Sequence, residues 1–164
     1  MVQVRKATYA DIAGIQKVAR VTWNHTYEGL IPEGIQHQFL SQNYSNEAMK
    51  RRIERSLLLV AEVENKVVGF INFFQLKNRN DAELGSIYIY PEQHGQGIGS
   101  KLLNAGIDVL NGVSNIFVNV ERLTTSGKNF YTAKGFKIIN EYDEDLAGNK
   151  VKMIRMVLQL KSDV

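Results

Sequence analysis

Apolar and polar residues change their spacing several times along this chain, and each change predicts an element. Val2 to Ala7 alternates, as a half-exposed strand does. Ile12, Ile15, Val18, Ala19 and Trp23 then recur at helical spacing, behind Thr8 as cap and Asp11 three residues later, close to a capping box. Gly29 and Pro32 break this pattern. A second helix is predicted from Glu33 to Gln42, and a third, capped by Ser45, runs to Arg55. Leu57 to Glu64 and Lys66 to Gln75 read as strands joined at Asn65, and Asn78 to Asp81 as the turn into a strand from Ala82 to Tyr90. Ile98, Leu102, Leu103, Ile107 and Leu110 share one face of a further helix that ends at Gly112. A strand at Ile116 to Val120, a helix from Thr124 to Lys134, and two last strands separated by Tyr142 to Asn149 complete the chain. The parallel pair expected around residues 82–120 makes this a mixed α/β domain. Gly85 and Ser86 interrupt the alternation between Leu84 and the pair Ile87 and Ile89, so a bulge is expected there.

Between the strand ending at Tyr90 and the helix starting at Ile98 lies Pro91-Glu92-Gln93-His94-Gly95-Gln96-Gly97-Ile98-Gly99-Ser100. Glycines at 95, 97 and 99 leave the backbone unshielded, so its N–H groups can approach an anion. The helix that follows turns its positive end toward the same place. The segment therefore predicts a phosphate cradle. It is no P-loop, because Ser100 precedes Lys101 and Leu102 follows, which removes the hydroxyl that would hold Mg²⁺. A dinucleotide fingerprint would need a glycine where Ser100 stands; Glu121 sits about where a ribose-binding acid would be, but only one parallel strand–helix–strand unit is evident.

Composition narrows the chemistry. With 164 residues the chain is read as one domain, and 44% hydrophobic with 23% charged residues is ordinary for a globular protein. There is no cysteine, which excludes disulfides, thiolate zinc sites and a cysteine acyl-enzyme. Three scattered histidines make no metal-ligand spacing, so no metal is expected. No apolar run is long enough for a membrane span and Met1 to Arg5 opens no signal peptide; the expectation is a cytoplasmic protein with no membrane partner. The net charge of +3 suits an anionic ligand or a nucleic acid, yet the basic cluster Lys50-Arg51-Arg52 with Arg55 falls on a predicted helix face without aromatic interleaving. No nucleic-acid partner is expected.

The segment His94-Gly95-Gln96-Gly97-Ile98-Gly99 resembles the pyrophosphate-binding turn, Gln/Arg-x-x-Gly-x-Gly/Ala, of the GCN5-related N-acetyltransferase (GNAT) superfamily, with histidine at the first position. Downstream, Phe130-Tyr131-Thr132-Ala133-Lys134-Gly135-Phe136 is similar to that family's Phe-Tyr-x-x-x-Gly-Phe ending. The resemblance implies a mostly antiparallel sheet of about seven strands, one parallel pair splayed around acetyl-CoA, and four to five flanking helices. It implies acetyl-CoA as cosubstrate, held by the backbone of Ile87, Tyr88 and Ile89, by His94 to Ser100, and near Thr124 and Tyr131. Tyr131 would protonate the departing thiolate. Glu83 would be the base, with Asp81 in reserve; Asn119 stands where some members carry a glutamate, and an amide takes no proton. A backbone N–H such as that of Ile89 would polarise the thioester carbonyl. The first two helices would wall the acceptor site, where Trp23 and Tyr27 could hold a cationic amine. The front segment is loosely similar to the polyamine-acetylating PaiA-like branch, so the expected acceptor is a small-molecule amine, a polyamine among the candidates. Three rivals stay open: acetylation of a protein α-amine or lysine, a CoA-binding module without turnover, and generic nucleotide binding without CoA specificity. Dimerisation is common in the family, which leaves a homodimer open.

Overall fold

The computed structural model describes residues 1–160 apart from 79, 111, 123 and 147. Arg79 in the predicted 78–81 turn, and the last four residues of the expected 1–164 domain, lie outside the described residues. The chain divides into two compact units: Met1–Phe73 with Ser86–Asn111, and Phe74–Gly85 with Gly112–Val164.

The first unit holds β1 (Val2–Lys6), α1 (Ile12–Tyr27), α2 (Glu33–Asn43), α3 (Asn46–Arg55), β2 (Leu57–Val63), nearly all of β3 (Lys66–Gln75), the second half of β4 (Asp81–Ile89) and α4 (Ile98–Val109). Its strands lie in the order β1-β2-β3-β4. Glu64 and Asn65, at φ 50 and 65, sit between the paired residues Val63 and Lys66. Two successive positive φ angles give a two-residue turn of the type whose twist matches a hairpin. At the helix starts, Thr8 donates its N–H to Asp11 at 2.8 Å, and Ser45 accepts from the Ala48 N–H at 3.1 Å. The predicted basic face of α3 is only partly solvent-exposed: Arg52 turns inward, donates to the Asn43 carbonyl at 2.9 Å and lies 4.3 Å over the Tyr44 ring.

Alternation in the strands sorts the core of this unit. Leu58, Val60 and Phe70 face α1 and α3, meeting Ile12, Ile15, Val18, Ala19 and Met49. Phe73 lies an odd number of residues from Phe70 and so faces the other way, where α4 packs. A Cβ at Gly106 of α4 would stand 2.1 Å from the Phe73 ring, so only glycine permits that contact.

The second unit holds the start of β4, β5 (Asn115–Glu121), α5 (Thr125–Ala133), β6 (Lys137–Leu146) and β7 (Asn149–Gln159). The strand order is β4-β5-β7-β6, with β4 the strand common to both lists. β4 and β5 run parallel from Asp81↔Asn115 to Leu84↔Val118; β5 with β7 and β7 with β6 are antiparallel. Among the described residues the elements are seven strands, with one parallel pair, and five α-helices, a mixed α/β architecture. Ala82, Leu84, Ile116, Val118, Val120, Ile154 and Met156 are buried, and Gly127 of α5 lies over Val120.

The predicted loop at 142–149 is corrected here. β6 continues to Leu146 and β7 starts at Asn149, because the acidic run pairs with basic residues across the hairpin: Asp143 with Lys152 and Asp145 with Lys150. Opposite charges placed directly across a ladder favour strand over loop. A short 3-10 turn at Pro91–Gln93, which hydrophobic periodicity does not signal, links β4 to the glycine segment. No helix among the described residues is long and apolar enough to cross a membrane.

Candidate active site

The glycine segment is built in the first unit. Gly95 and Gly97 have φ of 82 and 76, and a Cβ at either would meet nothing within 4 Å. Their glycine identity thus serves backbone conformation and leaves the surface above them open. Gly97 caps α4, and the first helical bond runs from the Lys101 N–H to its carbonyl at 3.1 Å. The N–H groups of Ile98, Gly99 and Ser100 precede that bond and belong to the unpaired first turn. Ile98 is buried and fixes the helix start to the core, while His94, Gly95, Gln96 and Gly97 are exposed. Backbone N–H groups gathered at a helix N-terminus are an arrangement suited to an anion.

Among the described residues, the strand leading into it has no strand partner on one edge beyond Leu84. The Tyr90 N–H donates to the Val68 carbonyl of β3 at 3.0 Å. Backbone groups alternate in direction along a strand, so Tyr88 and Tyr90 face β3 while Ile87 and Ile89 face away. Ile87 and Ile89 also lie beyond the parallel ladder, which ends at Leu84. Their peptide groups are available to pair with the amides of an extended ligand.

Tyr131 lies in the second unit, and its motif turns out to be a helix cap. α5 ends with Gly135 at φ 98; the Gly135 N–H reaches the Thr132 carbonyl at 3.1 Å and the Phe136 N–H the Tyr131 carbonyl at 3.0 Å. These two bonds define the Schellman arrangement, and its usual hydrophobic contact is Phe136 against Tyr131, centroids 5.2 Å apart. Phe130 packs edge-on from the other side at 5.3 Å. The Tyr131 side chain is therefore clamped and buried, and burial pushes its hydroxyl well above the usual phenol range. At neutral pH it keeps its proton and can donate a hydrogen bond. Thr124, at the head of α5, gives its hydroxyl to Glu121 at 2.8 Å.

On the other face of the same unit, Glu83 accepts from Arg155 with both carboxylate oxygens, at 2.9 and 3.1 Å. Arg155 also donates to Asn119 at 2.8 Å and lies 4.8 Å over the Phe117 ring. Glu83 thus ties β4 to β7, one rung before the parallel ladder ends. A carboxylate has about four lone-pair sites, and the fork uses one on each oxygen, so the others remain for water or an ammonium. Asp81 is committed differently: hydrogen bonds from Asn78 and Asn115, each 2.9 Å, hold its carboxyl below the usual range and make it a poorer base. Among the described residues no group of three or more histidines or carboxylates is placed to hold a metal.

Comparison with known proteins identifies the family. The acetyltransferase (GNAT) domain family matches residues 21–160. The chain belongs to the GNAT acetyltransferases. Its chemistry is therefore acetyl-CoA-dependent N-acetyl transfer. A spermidine N(1)-acetyltransferase of Thermoplasma acidophilum is 30% identical over 84% of this chain and 89% of its own. An uncharacterised N-acetyltransferase of Bacillus subtilis is 30% identical over 94% of this chain and 91% of its own. The crystal structure of the PaiA N-acetyltransferase of Thermoplasma acidophilum, in complex with coenzyme A, superposes with a TM-score of 0.84 at 27% identity, covering 98% of this chain and 99% of that one.

Within this GNAT chain the front aromatics form a packed cluster. Trp23 is 5% exposed, stacks on Phe39 at 4.2 Å and lies 4.7 Å from Tyr27. Its indole N–H donates to the Tyr88 hydroxyl at 2.9 Å, linking α1 to the cradle strand. With Phe39 against its face, Trp23 supports the site; Tyr27, half-buried at the end of α1, has the more accessible ring. Two residues in contact with the candidate elements escape the sequence reading. Arg155 sits 72 positions from Glu83, and nothing local joins them. Gly69 had a signal, an isolated glycine inside a β-branched run. A Cβ there would stand 2.9 Å from the Tyr88 carbonyl oxygen, so Gly69 lets β3 approach the cradle strand.

Proposed function

We propose that this chain acts in the cytoplasm, as a single domain over residues 1–164, to transfer acetyl from acetyl-CoA to a primary amine of a small molecule, with polyamines as the acceptor class. The observation that carries this reading is the open edge at Ile87 and Ile89 leading into the anion cradle at Gly95–Ser100, on one continuous stretch of backbone. An extended ligand with amides followed by a pyrophosphate fits that sequence of groups. The polyamine preference is supported by the spermidine N(1)-acetyltransferase relative.

In this proposal the backbone of Ile87 and Ile89 pairs with the pantetheine amides, and the N–H groups of Gly97 to Ser100 take the pyrophosphate. Acetyl-CoA brings the acetyl group as a thioester; a nitrogen–carbon bond forms as the carbon–sulfur bond breaks. An alkyl ammonium of pKa about 10.4 must first lose a proton, which costs roughly 4.6 kcal/mol at pH 7, against about 1.4 kcal/mol for an α-amine near pKa 8. Glu83 receives that proton through water, using a lone pair Arg155 leaves open. Tyr131 faces the opposite task. Transfer from an ordinary phenol to a thiolate is already uphill by about 2 kcal/mol, taking pKa values near 10 and 8.5, and burial widens the gap. Tyr131 therefore stabilises the thiolate by donating a hydrogen bond as charge develops, and the full proton comes later from solvent.

The test is free-thiol release from acetyl-CoA across polyamines, lysine-ended peptides, α-amino peptides and aminoglycosides. Turnover highest with polyamines is expected. Turnover confined to peptides would replace the acceptor class, and CoA binding without turnover on any amine would leave a binding module.

A further inference from the structure

We infer that His94 is a positioning residue for acetyl-CoA, holding the Ile89 carbonyl at the free edge of β4 in place of contacting the pyrophosphate. This rests on the acetyl-CoA reading above. His94 Nε2 lies 3.0 Å from the Ile89 carbonyl oxygen. A carbonyl only accepts, so the imidazole carries a proton on Nε2 and donates it. The turn between the two residues makes this geometry possible: the Gln93 N–H reaches the Tyr90 carbonyl at 2.9 Å and the His94 N–H the Pro91 carbonyl at 3.1 Å. That 3-10 turn folds the chain back, so the histidine ring returns to the strand it has just left.

Ile89 is consequently held from two sides. On the β3 side the missing Cβ of Gly69 lets the backbones close up; a methyl there would stand 2.9 Å from Ile89 Cγ1 and 3.3 Å from its Cα. On the opposite side the Ile89 carbonyl has two lone pairs, one taken by the imidazole and one left for an incoming amide N–H. The imidazole thus fixes the direction of the acceptor that a pantetheine amide would use. It also sets the distance between that acceptor and the cradle beginning at Gly95, because His94 is the residue immediately before it. With Nε2 committed to the carbonyl, only Nδ1 is left, and it could donate to a phosphate only if the ring carried a second proton.

The experiment compares His94→Phe, which keeps a ring and loses the donor, with His94→Gln, which restores an N–H donor. Two ligands are titrated into each: CoA, and adenosine 3′-phosphate 5′-diphosphate, which keeps the pyrophosphate and lacks the pantetheine arm. Phenylalanine is expected to weaken CoA about three- to tenfold, the worth of one hydrogen bond, and to raise the KM for acetyl-CoA more than it lowers kcat. Glutamine should recover most of that loss. The diphosphate should bind all three proteins alike. Equal weakening of both ligands would overturn the inference and assign His94 to the phosphates. Unchanged CoA affinity in the phenylalanine variant would overturn it outright. If the wild-type chain bound neither ligand, the acetyl-CoA reading itself would fall and take the inference with it. His94 is exposed, so an unchanged melting temperature serves as the folding control.

Discussion

Replacing Arg155 by methionine removes the clasp that joins β4, β5 and β7. The substitution deletes the hydrogen bonds to both Glu83 oxygens and the one to Asn119, while the methionine chain still covers Phe117. The Arg155 and Glu83 side chains are 28% and 21% exposed, so water only partly replaces what is lost. Hydrogen bonds to a charged group are worth about 1.5–3 kcal/mol each when removal strands a partner. Partial exposure and a shared fork bring the expected loss for Arg155→Met to about 1–2.5 kcal/mol in total. For a chain of this size each kcal/mol shifts the melting temperature by about 2–4 °C, which gives a drop of roughly 2–10 °C. A cycle with Glu83→Gln measures the pair directly by urea unfolding, and a coupling of about 1 kcal/mol or more is expected. Strict additivity within about 0.3 kcal/mol would refute the clasp. The same proteins separate two tasks of Glu83. If it takes the amine proton, Glu83→Gln lowers kcat for alkyl amines by roughly 10²–10⁴ and affects α-amines less. Equal losses on both amine types, matching those of Arg155→Met, would remove the base role.

Four further outcomes follow from the geometry. Tyr131→Phe should lower kcat while leaving CoA affinity and the melting temperature close to wild type, because the ring packing against Phe130 and Phe136 is kept; unchanged kcat would exclude the hydroxyl from the reaction. Gly97→Val should abolish CoA binding measured by calorimetry, since a β-branched residue resists φ 76 and shields the cradle N–H groups; retained binding would move the anion site elsewhere. Gly106→Ala should cost about 1–3 kcal/mol or more in urea unfolding, as its methyl would fall 2.1 Å from the fully buried Phe73, and Phe73→Leu in the same chain should recover part of it. Asp11 is held below the usual carboxylate range by the Arg5 guanidinium, assisted by the Thr8 N–H and opposed by burial. A lowered folded value means its stabilisation is complete above the unfolded pKa of about 4 and is lost as pH falls through the folded value. Asp11→Asn should therefore be less stable than wild type at pH 7, and the two should converge toward pH 2; a constant gap across that range would contradict the sign.

The elements whose information is local were legible in the chain. Helical spacing, the Thr8 and Ser45 caps and the glycine segment each depend on neighbours within a turn or two. Seven strands, five helices and one parallel pair followed from them. The acidic run at 141–145 misled because composition marks it as loop, whereas its pairing with Lys150 and Lys152 makes it strand. The motif around Tyr131 was legible as a pattern but not as a device: the Schellman bonds show that Gly135 and Phe136 exist to end α5 and clamp the tyrosine. Site contacts between distant positions were out of reach. The Glu83 fork to Arg155, the indole bond from Trp23 to Tyr88 and the approach of Gly69 to Ile89 all depend on strand order and register, which no local window contains. The bond from His94 to Ile89 spans only five residues, yet it depends on a 3-10 turn that hydrophobic periodicity does not mark.

The most direct measurement follows acetyl-CoA and spermidine together, counting thiol released and, by mass spectrometry, acetyl groups gained by the amine. The account predicts one acetylated amine per thiol, with no acetyl left on the protein, because the chain has no cysteine and the proposed route is direct transfer. Thiol release without acetylated amine, on spermidine or any other primary amine, would contradict it.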